Sequence, residues 1–152
     1  MMKQISLFIV FFSLVAISRA QDQKRTQSFN LNKGLAVQGY DVVAYFSSIS
    51  VEGNPSFAVI HQGVRYLFST EKNKEAFKKN PVKYEPQYGG WCAYAMGTTG
   101  EKVEIDPETF KILNGKLYLF YNKRFNNTLK TWNKEEQVLK AKADANWSRF
   151  SP

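Results

Sequence analysis

The residue with the clearest potential for chemistry is Cys92, the only cysteine in the chain. It lies in the stretch Pro86-Gln87-Tyr88-Gly89-Gly90-Trp91-Cys92-Ala93-Tyr94-Ala95-Met96. The two glycines predict a backbone turn, because glycine adopts positive φ without strain. The residues from Trp91 to Met96 predict the first turns of a short helix. A cysteine near a helix N-terminus is favoured as thiolate, whereas the alternative is a small buried hydrophobic residue.

Two further side chains could complete a metal site with Cys92. Met96 follows four residues later, so the thiolate and the thioether would share one helix face. Sulfur ligands select Cu(I), which makes copper the first candidate metal. His61, the only histidine, could be a third ligand if its strand packs against this helix. The alternatives are that Met96 fills the core and that His61 is an exposed strand residue.

A second arrangement places Cys92 in a pocket with acidic and aromatic side chains, where the thiol could be redox-active or nucleophilic. A hydrolytic Cys–His pair is disfavoured, because nothing places the single histidine beside Cys92. There is no Cys-x-x-Cys pair, which excludes dithiol exchange of the thioredoxin kind. The candidates to line such a pocket are Asp41, Tyr40, Tyr45, Tyr88, Gly89, Gly90, Tyr94 and Tyr121.

The N-terminus has the pattern of a cleavable secretory signal peptide over residues 1–20. Lys3 supplies the positive charge, residues 5–17 are almost continuously apolar, and Ser18-Arg19-Ala20 supplies small residues at the cleavage positions. The apolar run is too short for a good membrane span. We therefore expect a cut after Ala20, a periplasmic or secreted protein, and no transmembrane span in the mature chain.

The remaining composition is that of one globular domain. The 152-residue chain has a net charge of +8, but its basic residues are scattered, which is typical of a solvated surface. Together with export, this argues against a nucleic-acid partner. Residues 21–28 are polar and predict a disordered leader, and residues 29–152 predict the folded domain.

The pattern of the domain predicts an α+β fold with antiparallel hairpins packed against helices. Residues 57–61 and 64–68 predict one hairpin around Gln62-Gly63, and residues 110–113 and 116–121 predict another around Asn114-Gly115. Residues 71–79 predict a helix capped by Ser69 or Thr70, followed by one more turn after Pro81. Asp41 is expected to cap a short turn, and residues 106–108 to form one. Two terminal helices are expected over 124–132 and 135–147.

Several motifs in the chain resemble the YHS domain family. The core of that resemblance is His61-x-Gly63-x-x-Tyr66-x-Phe68-Ser69 with Phe77-x-x-Asn80-Pro81-x-Lys83-Tyr84. A subgroup of exported bacterial YHS proteins is similar over nearly all of the mature chain. The shared segments are 39–46 (Gly-Tyr-Asp-x-Val-Ala-Tyr-Phe), 88–93 (Tyr-Gly-Gly-aromatic-Cys-Ala), 114–122 and 142–147.

The resemblance implies a small α+β module, and in some relatives an association with copper transport. Metal-binding YHS domains carry two cysteines that fall at about Ser69 and Asn73 here, so their usual metal site does not carry over. Some members of the exported subgroup have selenocysteine at the position of Cys92. This implies that chemistry, rather than packing, is favoured there.

The leading hypothesis is a non-enzymatic binding protein that holds a metal, copper first, or a small ligand in a pocket at Cys92. The first alternative is a thiol redox protein with one reactive cysteine, which would have a low thiol pKa. The second alternative is a structural or interaction domain in which Cys92 is buried and inert.

Overall fold

The structure, a computed structural model, describes residues 21–150. The predicted signal peptide lies outside the described residues. Residues 21–28 are helical (α1), which corrects the expectation of a disordered leader. The helix is held by tertiary contacts: Arg25 pairs with Glu85, and Ser28 Oγ donates to the carbonyl oxygen of Phe150 at 2.9 Å. Polar composition alone did not predict these long-range partners.

The first sheet has four strands: β1 (Leu31–Asn32), β2 (Leu35–Ala36), β3 (Asn54–His61) and β4 (Val64–Phe68). Their order in the sheet is β1-β2-β4-β3. The predicted hairpin joins β3 to β4, and Gln62 and Gly63 both have positive φ, as a tight hairpin turn requires. A register shift between Asn54 and Ala58 bends β3. Strand β4 is almost entirely buried, and it places Tyr66 and Phe68 in the core.

Helix α2 (Glu71–Lys79) follows this sheet, as predicted. Thr70 caps it by accepting a hydrogen bond from the backbone N–H of Asn73 at 3.1 Å. The short α3 (Pro81–Tyr84) begins with proline at its first turn. A 3₁₀ turn over Gln87–Gly90 then leads to α4 (Ala93–Thr98), for which Cys92 is the N-cap residue.

The second predicted hairpin is also present. Strands β5 (Asp106–Leu113) and β6 (Lys116–Phe120) are antiparallel and meet at Asn114-Gly115, where both residues have positive φ. Strand β5 begins four residues earlier than expected. The turn expected at 106–108 is instead an irregularity in the ladder, where the register shifts between Asp106 and Phe110.

The C-terminal segment differs from the prediction in one place. Residues 122–127 form a small hairpin of β7 (Asn122–Lys123) and β8 (Asn126–Asn127), so helix α5 covers only Thr128–Trp132. Arg124 has φ 57 and therefore stands in the left-handed turn of this hairpin rather than at the start of a helix. Helix α6 (Glu136–Trp147) agrees with the prediction to within one residue.

The architecture is α+β, as the sequence predicts. Small, mainly antiparallel sheets, with one parallel pairing between β2 and β4, pack against helices, and two clusters of buried apolar side chains form the core. The first cluster joins β4, β6 and α2 and includes Cys92. The second joins α4, β6, α5 and α6 and includes Met96. The segment from Tyr88 to Met96 therefore runs through the centre of the molecule and contributes to both clusters.

Candidate functional site

Three consecutive residues before Trp91 have left-handed backbone. Tyr88, Gly89 and Gly90 have φ of 55, 58 and 83°. A Cβ atom on Gly89 would lie 2.8 Å from Trp147 Cη2 and 3.1 Å from Phe29 Cδ2, so the turn also needs a residue without a side chain. Left-handed backbone at Tyr88 costs about 1–2 kcal/mol. Strained backbone of this kind is common at functional sites, so the segment at Tyr88 is a candidate part of one.

The turn delivers Cys92 to a closed position. The cysteine is buried, with 0% exposure, and its Sγ accepts the backbone N–H of Tyr121 at 3.3 Å. Thr128 Oγ1 lies 3.6 Å from Sγ and donates its single proton to the carbonyl oxygen of Tyr121 at 2.8 Å. The thiol is therefore the donor towards Thr128, a geometry that suits a neutral S–H group. A reagent can reach this sulfur only after local opening.

The three residues expected to hold copper are not assembled into one open site. Met96 is buried in the second core cluster, whereas Cys92 belongs to the first. His61 lies at the end of β3, where its ring meets Phe77 edge to face at 6.0 Å. Within residues 21–150 no group of three or more histidine, cysteine, aspartate or glutamate side chains is arranged to hold a metal ion.

Asp41, a candidate to line a pocket with Cys92, accepts hydrogen bonds from other segments of the chain. It has 0% exposure, and its Oδ1 accepts the backbone N–H groups of Val43 and Ala44 at 2.9 and 3.2 Å. Its Oδ2 accepts both the N–H and the hydroxyl of Ser69, at 2.8 and 2.7 Å, and the amide of Asn73 at 2.7 Å. Ser69 and Asn73 are the positions where the YHS resemblance places metal-binding cysteines. Here both donate hydrogen bonds to one buried carboxylate.

An open cleft of about 430 Å³ lies beside the left-handed turn. Tyr88 and Gly89 form part of its wall, so it adjoins the segment that the sequence selected. Arg25 of α1 and Phe29, which directly follows α1, supply a second wall, and α6 supplies a third through Asp144 and Trp147. The remaining lining residues are Val82, Glu85, Pro86 and Gln87. We name this concavity the Tyr88 cleft.

Two hydrogen-bonded ion pairs contribute to the Tyr88 cleft. In the first, Arg25 pairs with Glu85 Oε1, which also accepts the Tyr66 hydroxyl at 2.8 Å. In the second, Lys140 Nζ binds Asp144 Oδ2 at 2.6 Å, while the Tyr88 hydroxyl donates to Asp144 Oδ1 at 2.9 Å. Both carboxylates are therefore compensated by a cation and by a phenol.

Two phenols that contact these pairs have raised pKa values. Burial, followed by the hydrogen bond to the Asp144 carboxylate, raises the pKa of Tyr88 well above its ordinary value. Burial and the Glu85 carboxylate raise the pKa of Tyr66 in the same way. Both groups consequently act as hydrogen-bond donors, and neither can serve as a general base at physiological pH.

Arg25 carries the one unsatisfied buried atom found among the described side chains. Its guanidinium lies 4.3 Å above the Phe29 ring and pairs with Glu85 through Nη2. Its buried Nε has no hydrogen-bond partner within the described residues. An unpaired buried donor is unusual in a folded protein and often marks the place of a water or a ligand.

The other pocket candidates do not line the Tyr88 cleft. Tyr45 is fully buried and donates to the carbonyl oxygen of Pro107 at 2.7 Å. Tyr94 and Tyr121 are partly buried against the core. The pKa of Tyr40 is raised, first by burial and then by nearby carboxylates. Of the eight predicted pocket residues, Tyr88 and Gly89 line this cleft, and Gly90 is buried in the same turn.

Sequence reasoning missed Arg25, Glu85 and Asp144. Each is an ordinary charged residue in the sequence, and the Arg25–Glu85 and Tyr88–Asp144 contacts join residues 60 and 56 positions apart in the chain. One signal was present in the sequence: Asp144 lies in the segment 142–147 that carries part of the YHS resemblance. Nothing in the local pattern of residues 21–28 distinguished Arg25 from its basic neighbours.

A second concavity of about 570 Å³ lies near the start of β5. Its lining is mostly polar and includes Gln38, Glu104, Asp106 and Asn122. Gln38 is already committed, because its Nε2 donates to the carbonyl oxygen of Ile105 at 3.0 Å. None of the predicted site residues lines this concavity. The Tyr88 cleft is therefore the candidate site, because it combines aromatic walls with an unpaired buried donor.

Comparisons with known proteins add no family. A scan against family models gives no match, and searches of curated proteins and of solved structures likewise find no similar chain. The likeness to the YHS domain thus stays a prediction that depends on the motifs. Across residues 21–150 there is also no helix of the length and apolarity needed to cross a membrane.

Proposed function

We propose that the protein is an exported, non-enzymatic binding protein that holds a small molecule in the Tyr88 cleft. The observation that carries the proposal is the cleft itself, at about 430 Å³, within the range of small-molecule sites. Aromatic side chains on two walls and fixed hydrogen-bonding groups between them are the usual composition of such sites. The strained turn at Tyr88 supports the proposal because it shapes one wall of the cleft.

In this proposal Cys92 is a structural residue and does not contact the ligand. Its hydrogen bonds to Tyr121 and Thr128 fix the segment that follows the turn, and it reaches no solvent. The proposal thus combines the small-ligand hypothesis with a buried cysteine. Copper binding through Cys92, Met96 and His61 stays a separate hypothesis. Elemental analysis of the protein from its native compartment, beside Cys92→Ala, tests it: stoichiometric copper lost in the variant would establish that site.

The cleft proposal is tested by protein-observed NMR with a library of small organic fragments. Val82 lines the cleft and is 79% exposed, so Val82→Trp narrows the cleft without disturbing the core. Val138 is 55% exposed and lies outside the cleft lining, which makes Val138→Trp the matched control.

We expect fragments to shift the backbone signals of Tyr88, Gly89 and Trp147 in the wild type and in Val138→Trp, but not in Val82→Trp. Shifts centred on Cys92, Met96 and Tyr121 instead would contradict the proposal. The proposal would also be contradicted if no fragment of the library shifted the signals of the cleft residues.

A further inference from the structure

The Arg25–Glu85 pair in the lining of the Tyr88 cleft keeps one donor and one acceptor that the pair itself does not use. Arg25 Nε–H has no partner within the described residues. Glu85 receives both of its hydrogen bonds, from Arg25 and from Tyr66, on Oε1, so these donors leave Oε2 unused. The Arg25–Glu85 pair can therefore donate one hydrogen bond to a ligand and accept one from it.

The charges around the cleft are balanced. Arg25 is compensated by Glu85, and Asp144 is compensated by Lys140 and by the Tyr88 hydroxyl. A ligand with a net charge would lose hydration on entering and find no uncompensated opposite charge. A ligand without net charge avoids that cost.

Beside these polar groups and Gln87, the lining contains apolar and aromatic side chains. Phe29 and Trp147 meet edge to face, with ring centroids 6.4 Å apart, and Gly89 packs between them. Pro86 and Val82 extend this apolar surface. A flat apolar body suits these walls, because ring edges and faces attract one another and exclude water.

We propose that the ligand is an uncharged small molecule that joins a carboxamide-like donor–acceptor pair to a flat apolar ring. The carbonyl oxygen accepts from Arg25, the N–H donates to Glu85 Oε2, and the ring lies against the aromatic walls. Slight opening of the Arg25–Glu85 pair admits the carbonyl oxygen to Nε, which has no solvent exposure before binding. This inference rests on the proposed function, since it names the ligand class of the same cleft.

Four probes of nearly equal size test the ligand class: phenylacetamide, phenylacetate, 2-phenylethylamine and ethylbenzene. They share the ring and differ in the polar end, which is neutral, anionic, cationic or absent. Binding is measured by NMR titration of the full mature chain. We expect phenylacetamide to bind at least about tenfold more tightly than each of the other three, since a buried charge or a missing hydrogen-bond pair costs about 1.4 kcal/mol or more.

A charge variant sharpens the test. Glu85→Gln keeps the shape of the side chain but leaves the Arg25 charge uncompensated, so the preference should reverse in favour of phenylacetate. Glu108→Gln, at an exposed glutamate outside the cleft lining, is the control and should keep the wild-type order. If Glu85→Gln does not fold, Arg25→Lys, which keeps the positive charge but removes Nε–H, is expected to weaken phenylacetamide severalfold and to leave ethylbenzene unchanged.

The outcomes separate this inference from the proposed function. Tighter binding of the acid or the amine to the wild type, or equal binding of all four probes, would overturn the ligand class while the cleft remains a binding site. The ligand class would also be overturned if library fragments bound the cleft but none of the four probes did. If neither the probes nor the library shift the cleft signals, the proposed function itself fails.

Discussion

At the scale of single residues, Asp41 links separate parts of the chain through its buried carboxylate. It joins the turn after β2, the end of β4 and the first turn of α2 through five hydrogen bonds. A buried carboxylate is stable only when its lone pairs are fully satisfied. In this chain the carboxylate performs the cross-linking that a metal ion performs in small metal-binding domains.

We predict that Asp41→Asn lowers the free energy of unfolding by about 2–4 kcal/mol, because an amide N–H₂ would face donors that now bind oxygen. Urea unfolding followed by circular dichroism measures the change. Glu108→Gln, at an exposed glutamate, should alter stability by less than about 0.5 kcal/mol. A loss in Asp41→Asn as small as in this control would show that the network is not a structural cross-link.

For Cys92 we predict strong protection of the thiol in the native protein. Alkylation by iodoacetamide should be at least about a hundredfold slower than in urea, because Sγ is buried and hydrogen-bonded. The rate, followed by mass spectrometry, should increase with urea as local opening increases. Rapid native alkylation at neutral pH would favour the thiol redox alternative.

The sequence singled out Cys92 and the turn before it, but it could not reveal what surrounds them. Tyr121 and Thr128, which contact the sulfur, lie 29 and 36 residues further along the chain. Spacing along a helix suggested that Cys92 and Met96 act together. The two side chains instead belong to different core clusters, because the chain passes between the two halves of the core at this point.

At the scale of secondary-structure elements, the left-handed turn is the part that shapes the cleft. We predict that Gly89→Ala destabilises the protein by more than about 2 kcal/mol, since a Cβ would contact Trp147 and Phe29 in addition to straining the backbone. Gly115→Ala is the matched control: its φ is +70°, but nothing lies within 4 Å of the added atom. It should cost only the backbone strain, about 1 kcal/mol.

Thermal or urea unfolding compares the two glycine variants directly. Equal losses would mean that Gly89 is needed only for its backbone angle and that the aromatic walls tolerate an added atom. The proposed geometry of the cleft wall at Gly89 would then be wrong.

Elements with strong local signals were predicted well from the sequence. The β3–β4 and β5–β6 hairpins have two-residue turns with positive φ at each residue. Helix α2 has a threonine cap and an acidic first turn. Where long-range contacts decide, the prediction failed. Helix α1 depends on Glu85 and Phe150, and residues 122–127 form a hairpin because Arg124 adopts a left-handed turn.

At the scale of the whole molecule, the buried phenols predict how stability depends on pH. Folding raises the pKa of Tyr66 and Tyr88 above the ordinary value of about 10. Above about pH 10 the unfolded chain therefore releases protons that the folded chain keeps, and the free energy of unfolding must fall as pH rises. Lys140 acts in the same direction, because its hydrogen bond to Asp144 raises its pKa.

Urea unfolding between pH 8 and pH 11 measures this dependence. We expect a plateau up to about pH 9.5 and a decline above it, with a slope of about 1.4 kcal/mol per pH unit for each retained proton. Tyr88→Phe should lower the plateau by about 1 kcal/mol through the lost hydrogen bond and should make the decline shallower. An unchanged slope in this variant would contradict the burial of a protonated Tyr88 in the folded state.

The measurement that tests the central claim most directly is capture of the natural ligand from a small-molecule extract of the source cells. The mature protein, Val82→Trp and Val138→Trp are each incubated with the extract, separated by ultrafiltration and analysed by mass spectrometry. We predict that an uncharged small molecule is enriched by the wild type and by Val138→Trp and is lost with Val82→Trp. Enrichment of the same compounds by all three proteins, or of none, would contradict a ligand site in the Tyr88 cleft.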